Sequence, residues 1–318
     1  MIKSLKAIVK AFFIYLYDFN QDLRYTTLVH GLDTKEKLLS SLVISAHTIE
    51  KGLTMPNRHI PFGESKVEAI ASGCMKYINK GYDKKDLRFV DVVGILQEYI
   101  NTVQTVEVSG VLKEKVNSVV NSIQPGNVLL QHYSVKHMDY FFDSDSSFKD
   151  FSFSRHSCRY LMGHVDDNTL MNALRMSMNA PSTCNRQSHR IHLIKTAEAK
   201  ELILSIQNGS RNFGDMVDQF ILVTSDLSCW KSGSQRNGPY IDGGIYLMNL
   251  LYCLHFCKIA ACTLNLYLDK ANTLKLHRSL SIPDNEVPVA LIAIGIPPGE
   301  FSLTRSYRRK ADEVIVFH

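Results

Sequence analysis

The stretch Ser154-Arg155-His156-Ser157-Cys158-Arg159-Tyr160 carries two arginines and a serine at alternate positions. Side chains alternate between the two faces of an extended chain, so Arg155, Ser157 and Arg159 are expected to point to one side together. Two guanidinium groups that are always charged, with a neutral hydroxyl donor between them, suit a phosphate group. Taken by itself, the pattern is weak, and a solvated basic surface is the favoured interpretation.

A second polar stretch, Ala180-Pro181-Ser182-Thr183-Cys184-Asn185-Arg186-Gln187, lies where a predicted helix gives way to a predicted strand. The helix must end before Pro181. Asn185 and Gln187 each supply a donor and an acceptor, so they can bind the edge of a heteroaromatic ring that has alternating N–H and C=O groups. An ordinary loop rich in Asn and Ser explains the same residues.

In combination, the two stretches resemble the opening of the nitroreductase family of FMN-dependent oxidoreductases, with RHS-x-R, a helical spacer and then PS-[ST]-x-N-x-Q. Three later segments keep the family's order. They are Asp242–Leu250, similar to a central helix at the dimer interface, Ala293–Pro297, similar to a late strand and turn, and Arg308–Ile315, similar to a basic stretch that returns to the phosphate. The resemblance covers about residues 150–318. It implies an α+β fold, with a mixed, mainly antiparallel sheet flanked by helices, preceded by a mostly helical N-terminal domain.

The resemblance also implies roles for individual residues. The resemblance implies that Arg155, Ser157 and Arg159 hold the FMN phosphate and ribityl chain. It implies that His156 contacts the flavin through its backbone. The segment implied to line the isoalloxazine ring and ribityl chain contains Pro181, Ser182, Thr183, Asn185 and Gln187. Arg308 and Arg309 match the terminal phosphate contact, and Leu264-Asn265 matches a loop near flavin N5 from the partner subunit.

The implied activity is hydride transfer from NADH or NADPH through flavin N5 to a small-molecule electron acceptor. No catalytic side chain or metal site is expected, and the two active sites should lie at the interface of a homodimer that includes the apolar helix 240–257. Two departures lie close to the implied pocket. Ser188-His189 follows Gln187 where the family often has Pro-Trp, and Lys258–Cys262 replaces a Gly-Leu-Gly turn. They keep open a second hypothesis, a non-catalytic flavin-fold binding or scaffold protein in a polysaccharide assembly system.

Residues 1–145 are predicted to form the helical domain, and the polar segment Asp143–Ser147 separates it from the domain at 150–318. Within it, the motif His47-Thr48-Ile49-Glu50-Lys51-Gly52-Leu53 places His47 and Glu50 on one helix face, with Gly52 near the helix end. A salt bridge at a helix terminus is favoured over a metal site, because no third ligand follows. The motif also resembles a subgroup of nitroreductase-like proteins found with bacterial surface-polysaccharide biosynthesis genes, which implies a link to that pathway.

The N-terminus combines Lys3, Lys6 and Lys10 with the apolar run Ala11–Tyr17. The run is shorter than the roughly 20 apolar residues of a membrane-spanning helix, and no small-residue cleavage site follows it. An amphipathic helix over residues 2–17 is predicted. Packing of its apolar face on the protein itself is the favoured interpretation, and peripheral attachment to the inner membrane surface is the alternative.

Composition bounds the remaining possibilities. The chain has 318 residues, 45% hydrophobic and 21% charged, which excludes a disordered, fibrous or disulfide-stapled protein. The net charge of +5 includes no long basic run, so no nucleic-acid partner is expected. Seven cysteines without a C-x-x-C pair indicate reduced thiols and a cytoplasmic protein.

Hydrophobic patterning predicts the regular elements. Helices are expected at 87–106, at 111–123, after an N-cap in Asp166-Asp167-Asn168, at Ala197–Gln207 and at 240–257. Strands are expected at Ile191–Ile194, Gln219–Thr224, Val289–Ile294 and Glu313–Phe317.

Overall fold

The computed structural model describes residues 2–25, 27–56, 59–103, 109–123, 132–230 and 234–318. The chain divides into two compact units. The α+β unit comprises Met1–Tyr15 and Ser134–Leu303, and the helical unit comprises Leu16–Tyr133 and Thr304–His318. Within the described ranges, no helix combines the length and apolar character needed to cross a bilayer.

Helices outnumber strands among the regular elements of the described residues. The helices are α1 Ile2–Tyr25, α2 Thr27–His30, α3 Lys35–Leu53, α4 Glu64–Asn79, α5 Leu87–Thr102, α6 Gly110–Val120, α7 His137–Tyr140, α8 Phe148–Ser154, α9 Asp167–Ser177, α10 Ala197–Ile206, α11 Gly238–Phe256 and α12 Lys270–Ser279. The strands are β1 His132–Lys136, β2 His189–Ile194, β3 Gln219–Asp226, β4 Ala260–Leu264, β5 Glu286–Gly295 and β6 Glu300–Thr304.

The α+β unit is built on a four-stranded antiparallel sheet of order β2-β3-β5-β4, and β1 and β6 form a second, two-stranded sheet. Strand β3 is central, and its residues 219–225 are all buried, which explains its continuous apolar pattern. Tyr246 and Leu250 of α11 join the core that the sheet forms with α9. The predicted fold, a mainly antiparallel sheet flanked by helices and accompanied by a further helical region, is confirmed.

Local sequence signals fix the ends of the site-forming helices. The Asp166 side chain accepts a hydrogen bond from Thr169 N–H, so α9 begins at the predicted N-cap. Helix α11 ends in a Schellman motif, in which Ile259 N–H donates to the carbonyl of Leu254. Lys258 occupies the left-handed position of that motif, at φ 59°, where glycine is the usual residue.

In the helical unit, α3, α4, α5 and α6 share one core, in which the Tyr77 and Phe89 rings stack 4.4 Å apart. The predicted salt bridge at the end of α3 is confirmed, because His47 Nδ1 lies 2.6 Å from Glu50 Oε2. The second oxygen of this buried carboxylate accepts from Ser306 N–H at 2.9 Å. A Cβ on Gly52 would lie 2.3 Å from the Phe62 ring, so the motif's glycine makes room for that ring.

Two predictions are wrong. The expected strand Glu313–Phe317 is absent. Residues Ala311–Glu313 form a 3-10 turn, and the side chains that follow are exposed, because no strand of the described chain pairs with them. The second prediction is that the apolar face of α1 packs on the protein, but within the described ranges Leu5, Phe12 and Leu16 are exposed. The predicted helices at 87–106 and 111–123 are confirmed as α5 and α6, although residues 104–106 lie outside the described ranges.

Candidate functional site

The arginine-bearing stretch follows α8 and runs without regular structure beside the sheet. Cys158 N–H donates to the carbonyl of Ala261 on β4, and Gly163 forms an isolated antiparallel bridge with Ile296. A Cβ on Gly163 would lie 2.7 Å from Ile296 Cβ, so only glycine permits this approach. These contacts hold the second half of the stretch, and the residues that follow it, against the sheet.

The two arginines of this stretch are at least partly buried, and neither has a counter-ion among the described residues. Arg159 is only 7% exposed, and the Nε atom of Arg155 is buried with no hydrogen-bond partner. In the part of the chain that the structure describes, neither arginine forms an ion pair. A buried charge that is left unpaired costs several kcal/mol, so the geometry favours an anionic ligand at this position. Ser157 is half-buried between the two arginines.

A buried histidine supports the same stretch from α11. His255 Nε2 lies 2.8 Å from Ser154 Oγ, next to Arg155 in the chain, and His255 is 1% exposed. Burial, reinforced by the nearby Arg155 and His156, lowers the pKa of His255 to about 4, so the imidazole of His255 is neutral at pH 7. Its Nδ1 atom is buried without a partner. The sequence pattern did not single out this histidine, because it sits inside an apolar helix.

The backbone of His156 is also held in place. Tyr140, itself 3% exposed, donates its hydroxyl hydrogen to the His156 carbonyl at 2.7 Å. Burial raises the pKa of Tyr140 well above its usual value, so the phenol keeps its proton. The carbonyl of His156 is thereby used in a contact within the chain.

The second polar stretch forms a tight loop that a carboxylate on α11 holds. Thr183 donates to Asp242 twice, from its backbone N–H and from its hydroxyl, both at 2.8 Å. Asp242 is 4% exposed. Thr183 is thereby used as a structural anchor, and the role of Asp242 was missed because 59 residues separate the two.

The anchored loop is strained. Cys184, Asn185 and Gln187 all have φ near +50°, in the left-handed region that side chains disfavour. Gln187 N–H donates to Ser182 Oγ, and Gln187 Nε2 donates to Asn185 Oδ1 at 3.1 Å. The side chains of Asn185 and Gln187 are exposed, as is Pro181, and Ser182 is half-buried. Backbone strain of this kind gathers at ligand-binding loops.

Two aromatic contacts lie around this loop. His189, of the Ser188-His189 pair that follows Gln187, stacks on Tyr246 with ring centroids 4.0 Å apart. Arg186 lies over the ring of Trp230, 4.9 Å from its centroid. Burial lowers the pKa of His189, so it too is a neutral packing group.

The remaining predicted site residues lie elsewhere. Leu264 is buried in β4, where it pairs with Leu291, and the exposed Asn265 accepts a hydrogen bond from Gln207 Nε2 at its carbonyl. Arg308 and Arg309 belong to the helical unit and are exposed. Arg309 Nε lies 3.6 Å from Glu313 Oε2.

Helix α11 separates the two predicted ligand-binding stretches. The loop 181–187 is held near the start of the helix by Asp242, and the arginine-bearing stretch is joined near its end by His255. These two helix positions are 13 residues apart in the sequence, or about 20 Å at 1.5 Å per residue. The two stretches are therefore attached to α11 at points about 20 Å apart along its axis.

The sequence matches no protein-family model, and no curated protein matches it. Solved structures with a similar arrangement include a nitroreductase family protein from Streptococcus pneumoniae, with 20% identity and a TM-score of 0.48, over 54% of this chain and 100% of that one. A nitroreductase family protein from Clostridium difficile has 20% identity and a TM-score of 0.45, over 54% and 98% of the two chains. A protein from Exiguobacterium sibiricum, described as a nitroreductase in complex with FMN, has 16% identity and a TM-score of 0.48, again over 54% and 98%.

Proposed function

We propose that the chain is an FMN-dependent oxidoreductase of the nitroreductase type that moves hydride from NADH or NADPH to a small-molecule acceptor. The observation that carries this proposal is the pair of arginines without a counter-ion, located in the stretch that resembles the family's phosphate-binding segment. A bound FMN would supply a ring atom, N5, that accepts and returns hydride.

The charges on the arginine-bearing stretch fit a phosphate monoester. Such a group carries about −1.5 to −2 charges at pH 7, which matches two guanidinium groups. Arg155 and Arg159 would bind the phosphate oxygens with Ser157 as a neutral donor, and the neutral His255 would hold Ser154 in place without adding charge. The chain thereby neutralises the ligand's charge with fixed donors that need little rearrangement.

The loop 181–187 would supply the second half of the site. Its exposed amide side chains, Asn185 and Gln187, hydrogen-bond to each other, and their other donor and acceptor positions would bind polar ring atoms on a ligand. Thr183 and Asp242 hold the loop in its strained shape, so they position those amides and are not expected to touch the ligand.

A second copy of the chain would complete each site. Since the two stretches are attached to α11 at points about 20 Å apart, an antiparallel pairing of two α11 helices would bring the loop of one copy to the arginines of the other. The outer face of α11 supports this arrangement, because apolar side chains are exposed along one stripe, at Ile241, Ile245, Met248 and Phe256. We therefore propose a homodimer, with Leu264-Asn265, Arg308 and Arg309 as further flavin contacts.

The wider setting follows from the sequence alone. We propose a cytoplasmic location, supported by seven free cysteines, and a helical domain over 1–145 followed by an FMN-binding domain over 150–318. The motif His47–Leu53 supports a link to surface-polysaccharide biosynthesis, although its side chains make intrachain contacts.

The test is FMN retention by the full-length protein. Purified protein is mixed with FMN, gel-filtered and scanned between 350 and 500 nm. We expect flavin to co-elute with a dimer in the wild type. Arg159→Met should weaken FMN binding by about 10- to 150-fold, the range for one hydrogen bond to a charged group. The control Arg175→Met removes the same charge from an exposed position on α9.

Turnover is measured separately by adding NADH or NADPH to the flavin-loaded protein without oxygen. Bleaching of the flavin absorbance supports the oxidoreductase. A wild type that retains no flavin refutes the proposed cofactor site, and a bound flavin that neither nicotinamide bleaches favours the non-catalytic scaffold protein.

A further inference from the structure

Helix α1 presents a broad apolar surface that the described residues of the chain leave exposed. The exposed large apolar side chains on it are Leu5, Ile8, Val9, Phe12, Phe13, Tyr15, Leu16 and Phe19. Phe12 and Phe13 are each 61% exposed, although burial of an aromatic side chain is strongly favourable. Contiguous apolar patches of this kind mark an interaction surface.

The surface is one side of an amphipathic helix. At 100° per residue, the eight side chains fall within an arc of about 160°, bounded by Tyr15 and Phe13. Lys6 and Lys10 lie outside the arc, beside its Phe13 edge, and both are exposed. The helix is therefore apolar on nearly half its circumference and basic next to it.

The charges of this segment all have one sign. Residues 1–17 contain three lysines and no Asp or Glu, and the first acidic residue is Asp18. A pairing surface for a second helix shows a narrower apolar seam, with charges of both signs beside it. A second copy of α1 packed in parallel would bring its lysines together, and an antiparallel copy would set them against Asp18 of the same helix. The width of the apolar arc, about 160°, is what favours a membrane surface over a helix pair. A negatively charged, apolar-cored partner suits the segment better.

We propose that α1 docks the protein on the surface of a membrane that contains anionic lipids. The helix lies in the plane of the interface, with Phe12, Phe13 and Phe19 inserted below the headgroups and the lysines among the lipid phosphates. This attachment is peripheral. It involves none of the predicted FMN contacts, so it stands independently of the proposed oxidoreductase activity.

The strength of membrane binding has two components, the attraction of the lysines to anionic lipids and the burial of the apolar side chains. Each lysine near an anionic leaflet strengthens binding about fivefold, so reversing Lys6 and Lys10 should weaken it by at least about 25-fold. Salt screens this component, since the Debye length shortens from about 10 Å at 0.1 M to about 3 Å at 1 M. Removal of the two inserted phenylalanines should abolish the apolar component.

The test is co-sedimentation of the full-length protein with vesicles. One set is pure phosphatidylcholine, and the other contains 30% phosphatidylglycerol, in low and high salt. Variants are Phe12→Ser/Phe13→Ser and Lys6→Glu/Lys10→Glu. Matched controls are Phe153→Ser, an equally exposed apolar position on α8, and Lys84→Glu/Lys85→Glu, which makes the same charge change on an exposed turn.

We expect the wild type to sediment with phosphatidylglycerol vesicles at low salt only, both α1 variants to stay in the supernatant, and both controls to behave as the wild type. The proposal is overturned if the wild type ignores phosphatidylglycerol, or if the Lys84/Lys85 control loses binding as fully as the Lys6/Lys10 variant. The alternative is that α1 forms a contact between two copies of the chain. Sedimentation velocity tests it, because the Phe12→Ser/Phe13→Ser variant would then change from dimer to monomer without losing vesicle binding, which would overturn the proposal. The lipid and salt dependence of the wild type decides the matter even if a variant fails to fold.

Discussion

Replacement of Asp242 by alanine should loosen the loop that we assign to the ligand. The carboxylate accepts two hydrogen bonds from Thr183, both 2.8 Å long, and hydrogen bonds to a charged group contribute about 1.5–3 kcal/mol each. Thr183 is exposed, so water can satisfy its donors once the carboxylate is gone, and the low end of that range applies. Relief of the strain at Cys184, Asn185 and Gln187 offsets part of the loss. We expect Asp242→Ala to lower the free energy of unfolding by about 2–3 kcal/mol.

The assay uses the protein's one tryptophan. Trp230 lies in the α+β unit against Arg186 of the same loop, so its fluorescence during urea unfolding reports on this region. Thr183→Val removes only the hydroxyl bond and should cost about 1.5 kcal/mol. Both substitutions remove the bond between the Thr183 hydroxyl and Asp242. The loss of stability in the Asp242→Ala/Thr183→Val double variant should therefore be smaller than the sum of the two single losses by about 1.5 kcal/mol. Strictly additive losses, or an Asp242→Ala protein as stable as the wild type, would refute the reasoning that this carboxylate holds the loop.

Two further predictions concern the far end of α11. Because burial lowers the pKa of His255 from its ordinary 6.5 to about 4, the unfolded chain binds a proton that the folded chain does not bind between these values. Stability is therefore complete above pH 6.5 and falls by up to about 3 kcal/mol as the pH drops to 4. His255→Gln should flatten this part of the curve of urea midpoint against pH, and an unchanged slope would contradict the assignment. Lys258→Gly should raise the free energy of unfolding by about 1 kcal/mol, because it relieves the left-handed backbone. Lys258→Ala is its control, since it also loses the 4.0 Å approach to Asp145 but keeps the Cβ, and equal stability of the two variants would show that φ is not the cause.

Much of the α+β unit could be predicted because its signals are local. The buried strand β3 is a continuous apolar run, and the start of α9 is a capping aspartate followed by an apolar period. The prediction of a final strand at Glu313–Phe317 was wrong because it depended on information that is not local. Glu313–Phe317 has the alternation of a strand, but a strand also needs a neighbour, and pairing is not visible in a single segment. Strand β4 was missed because the Ile259–Cys262 stretch was interpreted as a replaced turn.

The candidate site shows the same division between local and distant information. The arginines and the amides could be named from spacing, since their chemistry lies in the side chains themselves. Their supports could not be named, because Asp242 reaches Thr183 across 59 residues and His255 reaches Ser154 across 101. Each supporting residue sits inside an apolar helix, where its polarity looks incidental until the fold places it against a loop.

The unpaired charge of Arg159 gives the proposed cofactor a second effect, on folding itself. A buried guanidinium without a counter-ion destabilises the free chain, and an anion bound there removes that cost. A ligand that binds only the folded state adds RT ln(1 + [L]/Kd), or about 2.7 kcal/mol at one hundred times its Kd. The same substitution that weakens FMN binding, Arg159→Met, should therefore leave the flavin-free protein at least as stable as the wild type. At the same FMN concentration, the rise in stability should shrink from about 2.7 kcal/mol to about 0.3–1.4 kcal/mol, as a 10- to 150-fold weaker Kd implies. An arginine that served only to hold the fold would behave in the opposite way, because its replacement would destabilise the flavin-free protein.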